Sequence, residues 1–221
     1  MIETFLKVPG STIALAASQT LYMVALSLIA GAFLGMLLAI VVVLTRPNGL
    51  LANKVVFFIV GTTVNVVRSV PFIILMVAIM PLTKLVVGTR VGTTAALIPL
   101  IVHVAPYLAR LFENSLLEVN SGIIEAAQSM GATTFQVIWH FLIPEAKASL
   151  ILALTTGTIG LLGATAMAGA IGAGGVGNLA LTYGYERLNM PLMNVTVIIL
   201  IVIVQLIQSF GNVIAQKLRH I

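Results

Sequence analysis

Residues 8–45 read VPGSTIALAASQTLYMVALSLIAGAFLGMLLAIVVVLT, without one charged side chain. A hydrocarbon core of about 30 Å takes roughly 20 helical residues at about 1.5 Å each. The run therefore holds one tilted membrane helix and a lead-in, and Arg46-Pro47-Asn48-Gly49 reads as the turn that ends it. The first span is expected at about 18–44. The rest of the chain has the same character. It has 221 residues, 60% hydrophobic and 8% charged, against about 25% charged in an ordinary soluble domain. Seventeen charges, 11 basic and 6 acidic, cannot form the polar shell of a soluble protein this size. The apolar runs are continuous and do not alternate with period two, which argues against a β-barrel. The composition predicts an all-α polytopic membrane protein with no room for a separate soluble domain.

Other classes are excluded in the same way. The chain has no Cys, hence no disulfide framework, zinc finger or thiol nucleophile. The net charge of +5 comes from single basic residues along the chain. They form no patch, so no nucleic-acid partner is expected. The opening MIETFLKVPGS carries Glu3, Lys7 and Pro9 and lacks the pattern of a cleavable leader.

Four further spans follow from the spacing of charges. Residues 55–83 are apolar except for Arg68, with Pro71 just after it. An unpaired charge at mid-bilayer costs about 2.5–3.5 kcal/mol or more. Either 51–67 lies along the interface and the span starts near Arg68, or one long helix over 55–80 turns Arg68 toward protein or water. The third span fits 91–111, the fourth 150–168 and the fifth 193–210. Five spans put the termini on opposite sides. Arg46, Lys54, Arg110, Lys147, Lys217 and Arg219 fall on one side, and Lys7, Lys84, Arg90 and Arg187 on the other. The richer side is expected in the cytoplasm, together with the C-terminus.

Residues 120–144, NSGIIEAAQSMGATTFQVIWHFLIP, predict two short helices joined at a glycine. Asn120 or Ser121 caps the first, which runs to about Met130. Gly131 suits the left-handed residue beyond a helix end. Thr133 and Gln136 form a capping box for the second helix, and Pro144 marks the approach to the fourth span. Such an element docks a soluble partner or merely connects two spans.

Glu125-Ala126-Ala127, then Gly131, then Phe141-x-Ile143-Pro144 resembles the EAA loop of ABC importer permeases, usually EAA-x3-G-x9-I-x-L-P. The spacing fits, with Phe141 in place of Ile and Ile143 in place of Leu. Residues 42–47, 67–75, 168–177 and 183–185 further resemble the methionine-uptake branch. The resemblance implies a type-1 ABC transmembrane domain over 17–208, with five transmembrane helices and a cytoplasmic EAA coupling-helix loop. It implies a non-enzymatic permease subunit for methionine or another small amino acid, working by alternating access in the bacterial inner membrane. The partners implied are two copies of a cytoplasmic ATPase subunit, a periplasmic or lipid-anchored substrate-binding protein, and a second copy of this chain. ATP would be bound by the ATPase, so this chain is expected to hold no cofactor and no metal.

Glu125, Ala126, Ala127 and Gly131 are the expected ATPase-coupling residues. The two alanines would keep one face thin for a partner's backbone. Gly172-x-Gly174-x-x-Gly177 matches a dinucleotide fingerprint in letters only, because it follows a span and position 197 is Val. It reads instead as a close-packed segment near the outer mouth. No Lys follows a Gly, so no Walker A loop exists. Gly31 and Gly35 suit close helix packing within the subunit, while Gly157, Gly160 and Ala164 are pathway or interface candidates. Met167, alone among Ala and Gly, is a candidate plug. Arg68 is expected to pair structurally, and His103 to be a hydrogen-bonded packing residue. The rivals are an ion-coupled secondary transporter and an intramembrane enzyme. No Asp occurs and no Glu lies mid-span, and His103 has no evident catalytic partner.

Overall fold

The structure is a computed structural model that describes residues 8–219, so the leader reading of residues 1–7 lies outside it. Among the described residues every regular element is helical. In chain order these are α1 (Gly10–Thr45), α2 (Lys54–Ser69), α3 (Phe72–Ala78), α4 (Met80–Val87), α5 (Leu97–Leu117) and α6 (Ser121–Ser129). Next come α7 (Thr134–Gln136), a π-helical stretch Val137–Leu142, and α8 (Ile143–Ala168). A second π stretch (Gly169–Ala173), α9 (Gly175–Asn178), a third π stretch (Leu179–Glu186) and α10 (Met190–Arg219) complete the chain.

Helix α5 is the hub. It packs along α1 and against α8, while α8 also packs on α10. Its Leu100, Val104, Leu108, Phe112 and Leu116 are buried together, at positions a helix brings to one face. Small residues permit these approaches. A side chain at Gly31 would strike Val104, and one at Gly35 would lie 2.8 Å from the Ala105 carbonyl oxygen. Gly157 of α8 receives Leu108, and Gly211 of α10 receives Thr155. Helices in lipid gain little hydrophobic drive to associate, so such backbone proximity supplies the dispersion contact.

Three helical stretches, Gly10–Thr45, Thr134–Ala173 and Met190–Arg219, are long and apolar enough to cross a membrane. A fourth crossing results if α2 and α3 count as one span. Those two helices meet at 104°, which rules out one straight helix over 55–80. The cause is local: Pro71 has no N–H, and it holds Val70 in an extended conformation at ψ 123°.

The helix at the position expected for the third span is also displaced. The expected 91–111 becomes Leu97–Leu117, because Arg110 does not end the helix. Arg110 Nη1 donates to Glu113 Oε2 at 2.6 Å, and Arg110 Nη2 donates to Asn65 Oδ1 at 3.0 Å. The charges are thus neutralised within the bundle. At the fourth span, Pro144 does not separate a loop helix from a membrane helix. The chain passes from α7 through the π stretch into α8 without a break. A proline has no N–H for the preceding turn, and a π-bulge accommodates the missing bond. The connection between the fourth and fifth expected spans is helical as far as Glu186. The fifth helix is longer than 193–210 at both ends.

Candidate functional site

The loop between α5 and α8 forms one short helix with defined stops. Asn120 Oδ1 accepts from the Gly122 N–H at 2.8 Å, capping α6 at its start. At its end, the Ala132 N–H donates to the Ala127 carbonyl at 3.0 Å and the Gly131 N–H donates to the Gln128 carbonyl at 2.9 Å. This is a Schellman arrangement, and Gly131 takes its left-handed position at φ 83°. Beyond it, the Thr133 N–H donates to Gln136 Oε1 at 2.8 Å, and the Gln136 N–H donates to Thr133 Oγ1 at 3.4 Å. Both halves of the capping box are therefore present.

The two alanines differ. Ala126 is exposed beside Glu125, but Ala127 is fully buried. Ala127 thins the inner face, where α6 packs on Val137–Leu142, so only Ala126 presents a small side chain outward. Met130, Phe135 and Trp139 stand exposed around Gly131. Glu125 and Gln128 also line a cavity with Arg46, Asn48 and Gly49 from the turn after α1. His140 and Lys147 line another with Leu218 and Arg219. The turn after α1, helix α6 and the C-terminus thus share one end of the bundle.

At the other end, α8 stops and the chain folds back. Gly172, Gly174 and Gly175 all have positive φ, a conformation only glycine adopts readily. A side chain at Gly177 would strike the Ala166 backbone, and one at Gly169 would strike Asn178. Close packing of this stretch is therefore literal. It is also pinned. The Gly175 N–H donates to Gln19 Oε1 at 2.8 Å, the Val176 N–H donates to Thr20 Oγ1 at 2.8 Å, and Thr93 Oγ1 donates to the Ala173 carbonyl at 2.9 Å. Sequence reading missed Gln19, Thr20 and Thr93. Polar side chains in an uncharged span were the available signal.

The pathway candidates divide. Gly157 and Ala164 are buried in the chain's own core, so they line no open face of this chain. Gly160, Gly163 and Met167 lie at i, i+3 and i+7 and are all exposed. They make one open stripe along α8, with Met167 at 47% exposure. Arg68 pairs with no acid among the described residues. Its guanidinium carbon instead lies 5.9 Å from the Tyr107 ring centroid. His103 is not hydrogen-bonded at Nδ1.

Over residues 31–220 the chain matches the family described as "Binding-protein-dependent transport system inner membrane component". The chain belongs to this family. As such an inner membrane component it is a transport subunit and not an enzyme. It is 48% identical to a Vibrio cholerae protein named a probable D-methionine transport system permease protein, MetI, over 91% of this chain and 90% of that one. It is 45% identical to MetP of Bacillus subtilis, named a methionine import system permease protein, over 77% of each chain. Its fold matches a structure of the MetNI methionine ABC transporter, inward-facing, with a TM-score of 0.93 at 40% identity, covering 95% of this chain and 97% of that one. A structure of an amino acid ABC transporter with histidines, at 18% identity and a TM-score of 0.77, shares the fold. The EAA-loop importer resemblance drawn from residues 125–144 thus meets a family match across most of the chain.

Proposed function

We propose that this inner membrane component is the permease subunit of an ATP-driven methionine importer. The observation that carries this reading is the α6 element. Its EAA-type sequence forms a capped helix seated on the bundle through Ile124 and Ala127, with Glu125 and Ala126 facing outward. The MetI and MetP relatives, named for methionine, support the substrate.

In this reading Glu125, Ala126 and Gly131 engage a cytoplasmic ATPase, and Ala127 seats α6 on its own subunit. Two ATPase subunits bind ATP, and this chain binds none. Closure of the ATPases on ATP moves α6, and α8 follows because the backbone is continuous from α7 onward. The open stripe of Gly160, Gly163 and Met167 would then meet its counterpart across a two-fold axis, enclosing a path that one subunit is too small to close. A binding protein delivers substrate at the glycine-rich end. The membrane domain covers 17–208 with five crossings, α5 among them.

The end carrying Arg46, Lys147 and Arg219 lies in the cytoplasm and the N-terminus in the periplasm. The concentration of basic residues at the α6 end supports this orientation. The test is native mass spectrometry of the complex purified with its ATPase. Two copies of each are expected, and a stable, transport-competent complex with one permease copy would refute the dimer.

A further inference from the structure

A cavity of about 340 Å³ is lined by Arg68, His103, Val104, Tyr107, Gly160 and Leu161. Three elements meet there: the last turn of α2, one face of α5 and the middle of α8. Arg68 lies over the Tyr107 ring, 5.9 Å from guanidinium carbon to centroid. One helical turn away, the His103 ring meets Phe72 edge-on at 5.1 Å, and its buried Nδ1 has no hydrogen-bond partner. No carboxylate balances this group. The nearby acid on α5, Glu113, is held by Arg110. The cavity therefore offers a permanent cation and a free ring nitrogen with no counter-anion among the described residues.

Arginine is costly within an apolar segment, and where it is retained it marks ligand or ion pathways. Its planar fork matches a carboxylate bidentately. Gly160 puts no side chain into this space; a Cβ there would make ordinary contact with Tyr107 Cε1 at 3.4 Å, and a longer side chain would reach into the cavity. Gly160 also belongs to the open stripe of α8, so the cavity adjoins the face assigned to the path.

We infer that this cavity is a transient carboxylate subsite for the translocated amino acid. Arg68 takes the α-carboxylate, Tyr107 holds the guanidinium on its ring, and His103 Nδ1 supplies a further polar contact. The inference rests on the transport reading above. An anionic lipid phosphate would offer similar oxygens, and the test separates the two.

The complete complex, with ATPase and binding protein, is reconstituted in two kinds of vesicle: zwitterionic lipid alone, and zwitterionic lipid with added phosphatidylglycerol. Methionine uptake and ATP hydrolysis are measured for wild type, Arg68→Gln, Arg68→Lys and Gly160→Leu. Arg68→Gln is expected to lower uptake about tenfold, the worth of one charge-assisted contact. Its ATP hydrolysis should stay within about twofold of wild type, since coupling is intact. Arg68→Lys keeps the charge but loses the bidentate fork, so it should recover only part of the uptake. Gly160→Leu fills the cavity without removing the charge, and should reproduce the defect. The pattern should be the same in both vesicles. Uptake by Arg68→Gln within about twofold of wild type would overturn the subsite. So would parallel loss of uptake and hydrolysis, which marks a structural role, or a defect confined to vesicles with phosphatidylglycerol, which marks a lipid site. Failure of the wild type to take up methionine would overturn the transport reading and the subsite with it.

Discussion

Gln19 and Gly175 are 156 residues apart in sequence, yet the Gly175 N–H donates to Gln19 Oε1 at 2.8 Å. Thr20 accepts from the Val176 N–H in the same way and is buried. These bonds satisfy backbone donors that the turn after α8 cannot pair internally. Thr20→Val keeps the shape and removes the acceptor. A buried donor left unpaired costs about 1–3 kcal/mol. The variant should unfold at lower temperature and leak substrate without ATP, measured by thermal unfolding and by efflux from vesicles. Unchanged stability and leak would mean that the latch carries nothing.

Gly131 tests the coupling helix. Its φ is 83°, and a side chain there would meet nothing within 4 Å. The penalty for substitution is thus purely conformational, about 1–2 kcal/mol for an L-residue in the left-handed region. Gly131→Val should insert normally yet lose co-purification with the ATPase or lose uptake. Gly131→Asn, which tolerates this conformation, should keep most of both.

These two features differ in how legible they were. The stops of α6 could be read because caps are local: Asn120, Gly131, Thr133 and Gln136 each act within six residues. The break at Pro71 was readable as one of two alternatives for the same reason. Gln19 stood out only as a polar side chain in an uncharged span; its pairing with Gly175, 156 residues away, was not readable, since such a contact leaves no local mark of the partner. Arg110 was misread because a sequence shows a charge and not its partner, and Glu113 with Asn65 lets the helix continue. The burial of Ala127 was not legible, because the motif names residues without saying which face each occupies. The same holds for Gly157, Gly160 and Ala164, of which only Gly160 is exposed.

The Arg110–Glu113 pair should be costly to break and less costly to replace. The two side chains are 26% and 11% exposed, so solvent screens them only partly. Glu113→Gln should destabilise by about 1–3 kcal/mol, below the range for a fully buried pair. Replacing both with Met and Leu should recover much of the loss, because no charge is then left unpaired. Thermal unfolding of the wild type and the two variants in one lipid mixture checks the order.

Gly35 sets the distance between α1 and α5. A side chain there would lie 2.8 Å from the Ala105 carbonyl oxygen and 3.0 Å from Leu108 Cβ. Gly35→Val should cost about 1–3 kcal/mol through overpacking. Gly61, where a side chain meets nothing within 4 Å, is the matched control, and Gly61→Val should cost much less than Gly35→Val. Equal losses at both positions would contradict the packing account.

The central claim is that this chain carries methionine only when an ATPase drives it. The most direct measurement is uptake of radiolabelled methionine into vesicles holding the chain, its ATPase and its binding protein. Uptake should require ATP and all three proteins, and should persist when ionophores collapse proton and sodium gradients. Uptake that proceeds without ATP, or that disappears with the gradients, would contradict the account and identify an ion-coupled transporter.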